Sequence, residues 1–461
     1  MRGRRVTQPG LNPGNGACEM ILHCRQAVTD RLIRTVQRSA RLKLSFRAVV
    51  AQVAVCNKEA DSLISSGITM AELLSPERLS DTRAFEREWT ALRECVSPWS
   101  DEERLHQYLT GVDWPRLLVL AREHGVVGQL AACLNKLDAV IPSEINEALL
   151  ERQREQNFLT LRLTAELFRL LELFSRNEIR ALVIKGPVLA VQAYADPGMR
   201  GYGDLDLLVR QRDIRRATEL MIASGYQAAI SLDAIQAGKI PGQYLFSKLD
   251  SQLLDEIHND ATLRYFPRQL PIEDFFARQS RVRLDAHEVP APSLEDHLVL
   301  ICVHGAKHFW ERLALIADVA GFVAQQTSIS WDRAGSSARA VQSEHLLHTG
   351  LRLAMNVLRA ELPAPIAAGV RGDHVAARLA GQVLRWLPAG GYAPSGLFER
   401  AAFRLCMRGN FLAAPGYLLR LSFSPTEEDW QGTGQGRDDW LLDALRRPFR
   451  LARKYGRHGK T

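Results

Sequence analysis

The sequence predicts an α+β protein in which a small mixed sheet is flanked by N- and C-terminal helical regions. Three observations carry that expectation. Two short apolar runs, 181–184 and 203–209, have strand length and are bounded by glycine and proline. A third strand pattern follows at 252–258. On either side, 84–176 and the chain beyond residue 291 carry apolar residues at helical spacing.

The chain's 461 residues allow two to four domains. A composition of 46% hydrophobic and 24% charged residues is that of an ordinary soluble globular protein. No apolar run has the length of a membrane span, so stable membrane insertion is not expected. The basic N-terminus lacks an apolar core followed by a cleavage site, which argues against a signal peptide. Seven scattered cysteines, odd in number and never spaced C-x-x-C, read as reduced thiols of a cytoplasmic protein. The net charge of +7 is concentrated at the two ends.

Residues 1–65 read as a disordered, basic extension, rich in Gly, Pro, Asn and Arg over the first sixteen residues. Arg31, Arg34, Arg38 and Arg41 recur at helical spacing. They suit either a nucleic-acid-binding arm or a dispensable extension, and the more ordinary sequence from Met70 onward favours the second. A helical domain is expected over 84–176, with helices at 86–95, 102–109, 114–124 and 144–174. The stripe Leu163, Leu167, Leu170, Leu171 and Phe174 on the last of these reads as core packing.

The core, 177–290, begins with the strand at 181–184, which runs into Lys185-Gly186-Pro187 and a helix at 188–194. Pro187 suits a first helical turn, where its missing N–H costs nothing. After the turn Asp196-Pro197-Gly198, the strand at 203–209 carries Asp204 and Asp206, which share one face because side chains alternate along a strand. Adjacent carboxylates repel unless a cation shares them. Mg²⁺ favours one or two carboxylates plus substrate phosphates, and a helix N-terminus offers N–H groups to phosphate. The alternative is a strand end with solvated aspartates. Beyond it, Asp213 can cap a helix reaching Ser224, with Gly225 at the C′ position. A strand at 226–230 follows, then a loop with Gly238, Pro241 and Gly242, and then the strand holding Asp255, Glu256 and His258.

Strand, glycine turn, helix and a strand with D-x-D resemble the DNA polymerase beta-like nucleotidyltransferase superfamily. Lys185-Gly186, Leu189, Tyr194, Arg200 and the run from Asp204 to Val209 resemble one bacterial branch of it, an uncharacterised nucleotidyltransferase family found near polysaccharide and peptide-modification genes. The resemblance implies a two-metal site of Asp204, Asp206 and a third carboxylate. In that branch the third carboxylate stands two residues before a histidine, which selects Glu256, with Asp255 in reserve on the opposite face. The resemblance further implies nucleotide binding by Lys185, Gly186 and Arg200. One departure stands out: the superfamily usually has Gly-Ser or Gly-Gly at the turn, and this chain has Gly186-Pro187. A hydroxyl and an N–H that could hold the triphosphate are absent.

The C-terminal helical domain, 291–445, opens after Pro292 with Ser293 as N-cap and Asp296 three residues on, an imperfect capping box. His304 and His308 lie one turn apart on a helix face, with His297 one heptad earlier. Gly305 stands where a zinc protease helix needs Glu, so that class is excluded. A buried or rim histidine face competes with a polar face closing over a nucleotide. The pattern H-G-x-K-H-x-W with a downstream aspartate resembles the family's helical half and implies outer roles for Lys307 and His308. Helices are expected over 338–384, a loop at 388–394 and a capped helix after Pro425. The basic tail at 446–461 suits anionic lipid or RNA only weakly.

Taken together, the resemblance implies a cytoplasmic enzyme that uses Mg²⁺ or Mn²⁺ to move a nucleotidyl group from an NTP, AMP from ATP first among them. The acceptor is an unidentified hydroxyl or phosphate in polysaccharide or peptide natural-product biosynthesis. A non-catalytic nucleotide-binding protein on the same fold and an RNA-directed transferase are the rival readings.

Overall fold

The computed structural model describes residues 85–407 apart from 138–140, 231, 233–234, 236–241, 249–252, 259–271 and 389–396. All of them belong to one compact unit, Leu79–Thr461. The expectations for 1–65, 389–394, the helix after Pro425 and the tail at 446–461 fall outside the described residues.

The N-terminal helices are α1 (Glu86–Val96), α2 (Glu102–Leu109), α3 (Trp114–Glu123) and α4 (Val127–Lys136), followed by the 34-residue α5 (Ser143–Arg176). Asp101 and Asp113 cap α2 and α3 by accepting from the backbone N–H groups of Arg104 and Arg116. Sequence reading missed α4, which has no side-chain cap and follows Gly125 at φ +68°. Packing accounts for it: Leu130, Ala131 and Leu134 are buried. A Cβ on Gly128 would meet the Met199 carbonyl oxygen at 2.3 Å, so glycine lets α4 rest on the loop that leads to Asp204.

The sheet has the order β1-β2-β5-β4-β3. Its strands are β1 (Ala181–Val183), β2 (Asp204–Val209), β3 (Gln227–Ala228), β4 (Gln243–Lys248) and β5 (Leu253–His258). Only β2 and β5 pair in parallel, with Asp206 opposite Glu256, and the other neighbours are antiparallel. Strand β4 stood in the expected loop, and the 226–230 strand contracts to two residues. Helix α6 (Gly186–Tyr194) joins β1 to β2, and α7 (Ile214–Ala223) follows β2. Asp213 takes the N-cap position of α7 without a side-chain capping bond, contrary to expectation, whereas Gly225 follows the helix at φ +87° as expected. After α8 (Ile272–Ala277), a hairpin of β6 (Ser280–Leu284) and β7 (His287–Ala291) completes the β structure. The sequence pattern marks no element over that hairpin.

The two faces of the sheet lie in different cores. Leu205, Leu207 and Val209 pack with Leu163, Leu167, Leu170 and Phe174 of α5, so the α5 stripe is core as expected. Each such leucine contributes roughly 1.5–3 kcal/mol by leaving water. Leu182, Ile184 and Leu208 pack with the C-terminal helices. These are α9 (Leu294–Lys307), α10 (Leu313–Gln325), α11 (Trp331–Ala340), α12 (Glu344–Leu358), α13 (Ala364–Gly372), α14 (His374–Trp386) and α15 (Leu397–Cys406). Ser293 caps α9 by accepting from the Asp296 N–H at 3.2 Å and donating to Asp296 Oδ2 at 2.9 Å. Among the described residues, no helix is long and apolar enough to cross a membrane, and all four described cysteines are free.

Candidate active site

Period-two alternation places Asp204, Asp206 and Leu208 on one face of β2, towards α9 and α10. Parallel pairing sets Leu254, Glu256 and His258 beside them. The site therefore forms where two parallel strands run side by side next to the turn that opens α6. Gly186 sits in that turn at φ +59°, a left-handed conformation that L side chains adopt at a cost. A Cβ there would meet nothing closer than 3.6 Å, so backbone conformation and not crowding calls for the glycine.

Asp206 is the centre of the site and is only 2% exposed. Its Oδ1 accepts from Lys185 Nζ at 2.6 Å and His258 Nε2 at 2.8 Å. Burial alone would raise this carboxyl, but Lys185 and His258 outweigh it and hold the group well below the ordinary carboxylate range. Burial likewise works to lower Lys185 and His258, and the facing carboxylates raise both above their ordinary values. His258 Nε2 lies 3.4 Å from Glu256 Oε2. Asp204 sits at the rim, its carboxyl pushed up to about 6 by burial and by the charges of Asp206 and Glu256. The two aspartates of D-x-D are thus shifted in opposite directions by their surroundings.

Three residues that sequence reading did not assign belong here. One ligand atom from each of Asp206, Glu256 and His258 lies within 4.8 Å of the others, a group able to hold a metal ion. His258 thus stands in the set where Asp204 was expected. Its period-two spacing from Glu256 was the available signal. Gln243, on the unrecognised strand β4, donates to Glu256 Oε2 and accepts from Lys307 Nζ at 2.8 Å. Asp318 of α10 accepts from Tyr194 Oη at 3.0 Å and from Arg200 Nε at 3.0 Å. Arg200 is thereby tied into a buried ion pair, 12% exposed on its side chain. Lys307 joins the site through Gln243, whereas His308 is the exposed C-cap of α9, its ring 4.6 Å from that of His304.

His297 is fully buried and plays a different part. Its Nε2–H donates to the Ile184 carbonyl at 2.9 Å, which holds the residue just before Lys185. The glycine and tryptophan of H-G-x-K-H-x-W are packing partners. A Cβ on Gly305 would strike the Trp310 ring at 2.4 Å, and one on Gly350 would meet it at 3.0 Å.

Asp255 faces away from the site, as alternation requires. It is fully buried on the α5 side beside Tyr226, whose hydroxyl proton goes to Glu166. Neither Asp255 oxygen has a hydrogen-bond partner of good geometry, and burial, opposed by the neighbouring Tyr226 hydroxyl, pushes the carboxyl up to about 7.

A carboxylate pair on neighbouring parallel strands, a buried lysine and a glycine turn opening a helix are the apparatus of phosphoryl chemistry. The chain belongs to a family of nucleotidyltransferases described as "Uncharacterised nucleotidyltransferase", whose model matches residues 110–359. It is accordingly a nucleotidyl-transferring enzyme. No curated protein and no solved structure matches the chain at a significant level.

Proposed function

We propose that this enzyme moves an NMP group, AMP from ATP first among the candidates, to a hydroxyl or phosphate acceptor. In that step the acceptor oxygen bonds to the α-phosphorus, the α–β phosphoanhydride bond breaks and pyrophosphate leaves. The carrying observation is the register that sets Asp206 against Glu256 with Lys185 on the same carboxylate.

The donor set fits a divalent cation. Carboxylate oxygens suit Mg²⁺ and Mn²⁺, and the His258 nitrogen shifts the preference towards Mn²⁺. Asp206, Glu256 and His258 would hold the ion, with Asp204 completing the set from the rim. When bound, it would polarise the phosphates and offset developing negative charge. Glu256, oriented by Gln243, is placed to accept the acceptor's proton, and Lys185 to neutralise charge on the leaving pyrophosphate. Gly186 lets backbone approach the phosphates. Arg200 acts within its Asp318 pair, and Lys307 and His308 form the outer polar wall. The setting is cytoplasmic, in polysaccharide or peptide modification, with weak lipid or RNA contacts made by the basic ends.

Pro187 favours a second reading, a nucleotide-binding protein without turnover, because it removes one phosphate-directed N–H from the turn. Calorimetric titration of ATP, GTP, CTP and UTP with Mn²⁺ or Mg²⁺ tests the proposal. Metal-dependent binding that is lost in an Asp204→Asn/Asp206→Asn variant supports it and identifies the base. Absence of nucleotide binding by the wild type under either metal removes it.

A further inference from the structure

We infer that Asp318 is a positioning residue of this site: acting through Arg200, it fixes the loop that carries Asp204 rather than preparing a ligand for the nucleotide. The inference rests on the nucleotidyl-transfer reading and concerns how the rim carboxylate is held.

The loop between α6 and β2, residues 195–203, leads the chain straight into Asp204. It contains Gly198, Gly201 and Gly203, and a Cβ on Gly203 would meet nothing within 4 Å. Glycines this close together leave a backbone permissive. Metal ligation needs the opposite, because a ligand misplaced by about 1 Å loses much of its effect. The loop must therefore be fixed from outside.

Arg200 supplies the charged hold. Its Nε donates to both Asp318 oxygens at 3.0 Å, and Tyr194 Oη donates to Oδ1 at the same distance. Asp318 is itself 3% exposed and set by close packing. A Cβ on Gly321, one turn further along α10, would meet the Ala193 carbonyl oxygen at 2.6 Å. Helix α10 thus lies against the end of α6, where the loop begins. Neutral contacts complete the hold: Gln156 Nε2 donates to the Tyr202 carbonyl at 3.3 Å, and Gly128 of α4 admits the Met199 carbonyl.

Two observations separate this role from nucleotide contact and from bulk stability. The cavity at the site is lined by Lys185, His258, His304, Lys307 and Asp318, and Arg200 does not line it. A buried ion pair also adds little stability over an apolar pair of similar volume, because both charges lose their water. What the pair adds is a fixed direction.

The test joins two measurements on the full chain. Trypsin cannot take Arg200 while its side chain stays in the buried pair, so the Arg200–Gly201 bond should resist cleavage in the wild type. Asp318→Asn is expected to be cut there about tenfold faster, with cleavage elsewhere unchanged. Binding of α,β-methylene-ATP is then followed by calorimetry over a series of Mn²⁺ concentrations. Asp318→Asn should need about fivefold more Mn²⁺ for half-maximal binding, yet match the wild-type affinity for the analogue at saturating Mn²⁺. In an Asp204→Asn background, Asp318→Asn should add no further shift.

Weaker analogue binding by Asp318→Asn at saturating Mn²⁺ overturns the inference and assigns Arg200 to the phosphates. An unchanged Mn²⁺ requirement overturns it as well, as does a further shift in the Asp204→Asn background. Cleavage accelerated alike at every site would mark a general loss of stability and also count against it. If Asp318→Asn does not fold, Arg200→Met/Asp318→Leu, an apolar pair, carries the Mn²⁺ measurement with the same expectations. If the wild type binds no nucleotide with Mn²⁺, the transfer reading falls and the inference falls with it.

Discussion

His297 Nε2 lies 2.9 Å from the carbonyl oxygen of Ile184, a contact that spans 113 residues and ties α9 to the end of β1. Replacing the ring by leucine leaves that buried carbonyl unsatisfied. The loss should be on the order of 1–3 kcal/mol, read from urea midpoints at pH 7. The same histidine carries a pH signature, because burial lowers it to about 4. A histidine with a depressed folded pKa contributes stability above its unfolded value near 6.5, and that stability fades as pH falls towards 4. His297→Leu should therefore cost about 2 kcal/mol less at pH 5 than at pH 7. A difference that does not change with pH would show that the ring is not held neutral by its site.

Asp204 and Asp206 should respond in opposite directions to the same substitution. Asp204, pushed up to about 6, is a charge its buried, acidic surroundings tolerate poorly. Asp204→Asn should raise stability at pH 8 by on the order of 1–2 kcal/mol. Asp206 is the shared acceptor of Lys185 and His258. Asp206→Asn strands two buried donors and should cost on the order of 3 kcal/mol or more. Both variants should lose nucleotidyl transfer. Thermal melts alongside an assay for released pyrophosphate would check this, and stability changes of the same sign would refute the assignment.

On the far face of the sheet, Asp255→Asn should stabilise the protein. The folded pKa of about 7 lies above the unfolded value near 3.9, so the wild type is penalised increasingly as pH rises between the two. The variant's advantage should be about 1–2 kcal/mol at pH 5 and should grow to on the order of 3–4 kcal/mol by pH 8. A gain that shrank with rising pH would place the carboxylate next to a compensating cation.

Gly305→Ala separates helix propensity from packing. Alanine in a helix gains about 1 kcal/mol over glycine. Here its Cβ would meet the Trp310 ring at 2.4 Å, and that ring also lies over Gly350. Displacing a fully buried tryptophan should outweigh the gain, with a net loss of about 1–3 kcal/mol. Tryptophan fluorescence and a melting curve read both effects, and a more stable variant would show that the ring can yield.

What the sequence made legible follows from short-range rules. Period-two alternation set Asp204 and Asp206 on one face and turned Asp255 from Glu256, and helical spacing exposed the α5 stripe. Strand β4 was hidden because Gln243–Lys248 follows Gly242 without a break in its loop-like flanks, and its reason for being a strand lies in β3 and β5 on either side. Gln243 was lost with it. His258 was legible as a spacing mark and not as a ligand, because its role depends on the parallel register with β2. Asp318 and Arg200 are 118 positions apart, and nothing local announces a bond made by the packing of α10.

The parallel pairing of β2 with β5 has a consequence for tracing this enzyme's kin. Between the two strands the chain crosses from one end of the sheet to the other, and nothing in the register fixes how long that crossing must be. Two short words, D-x-D and E-x-H, are bound to each other in space but not in spacing. Insertions between them leave the words aligned, whereas one residue added inside either strand would turn its later letters to the wrong face. Relatives are best sought by holding both words rigid and letting the interval float.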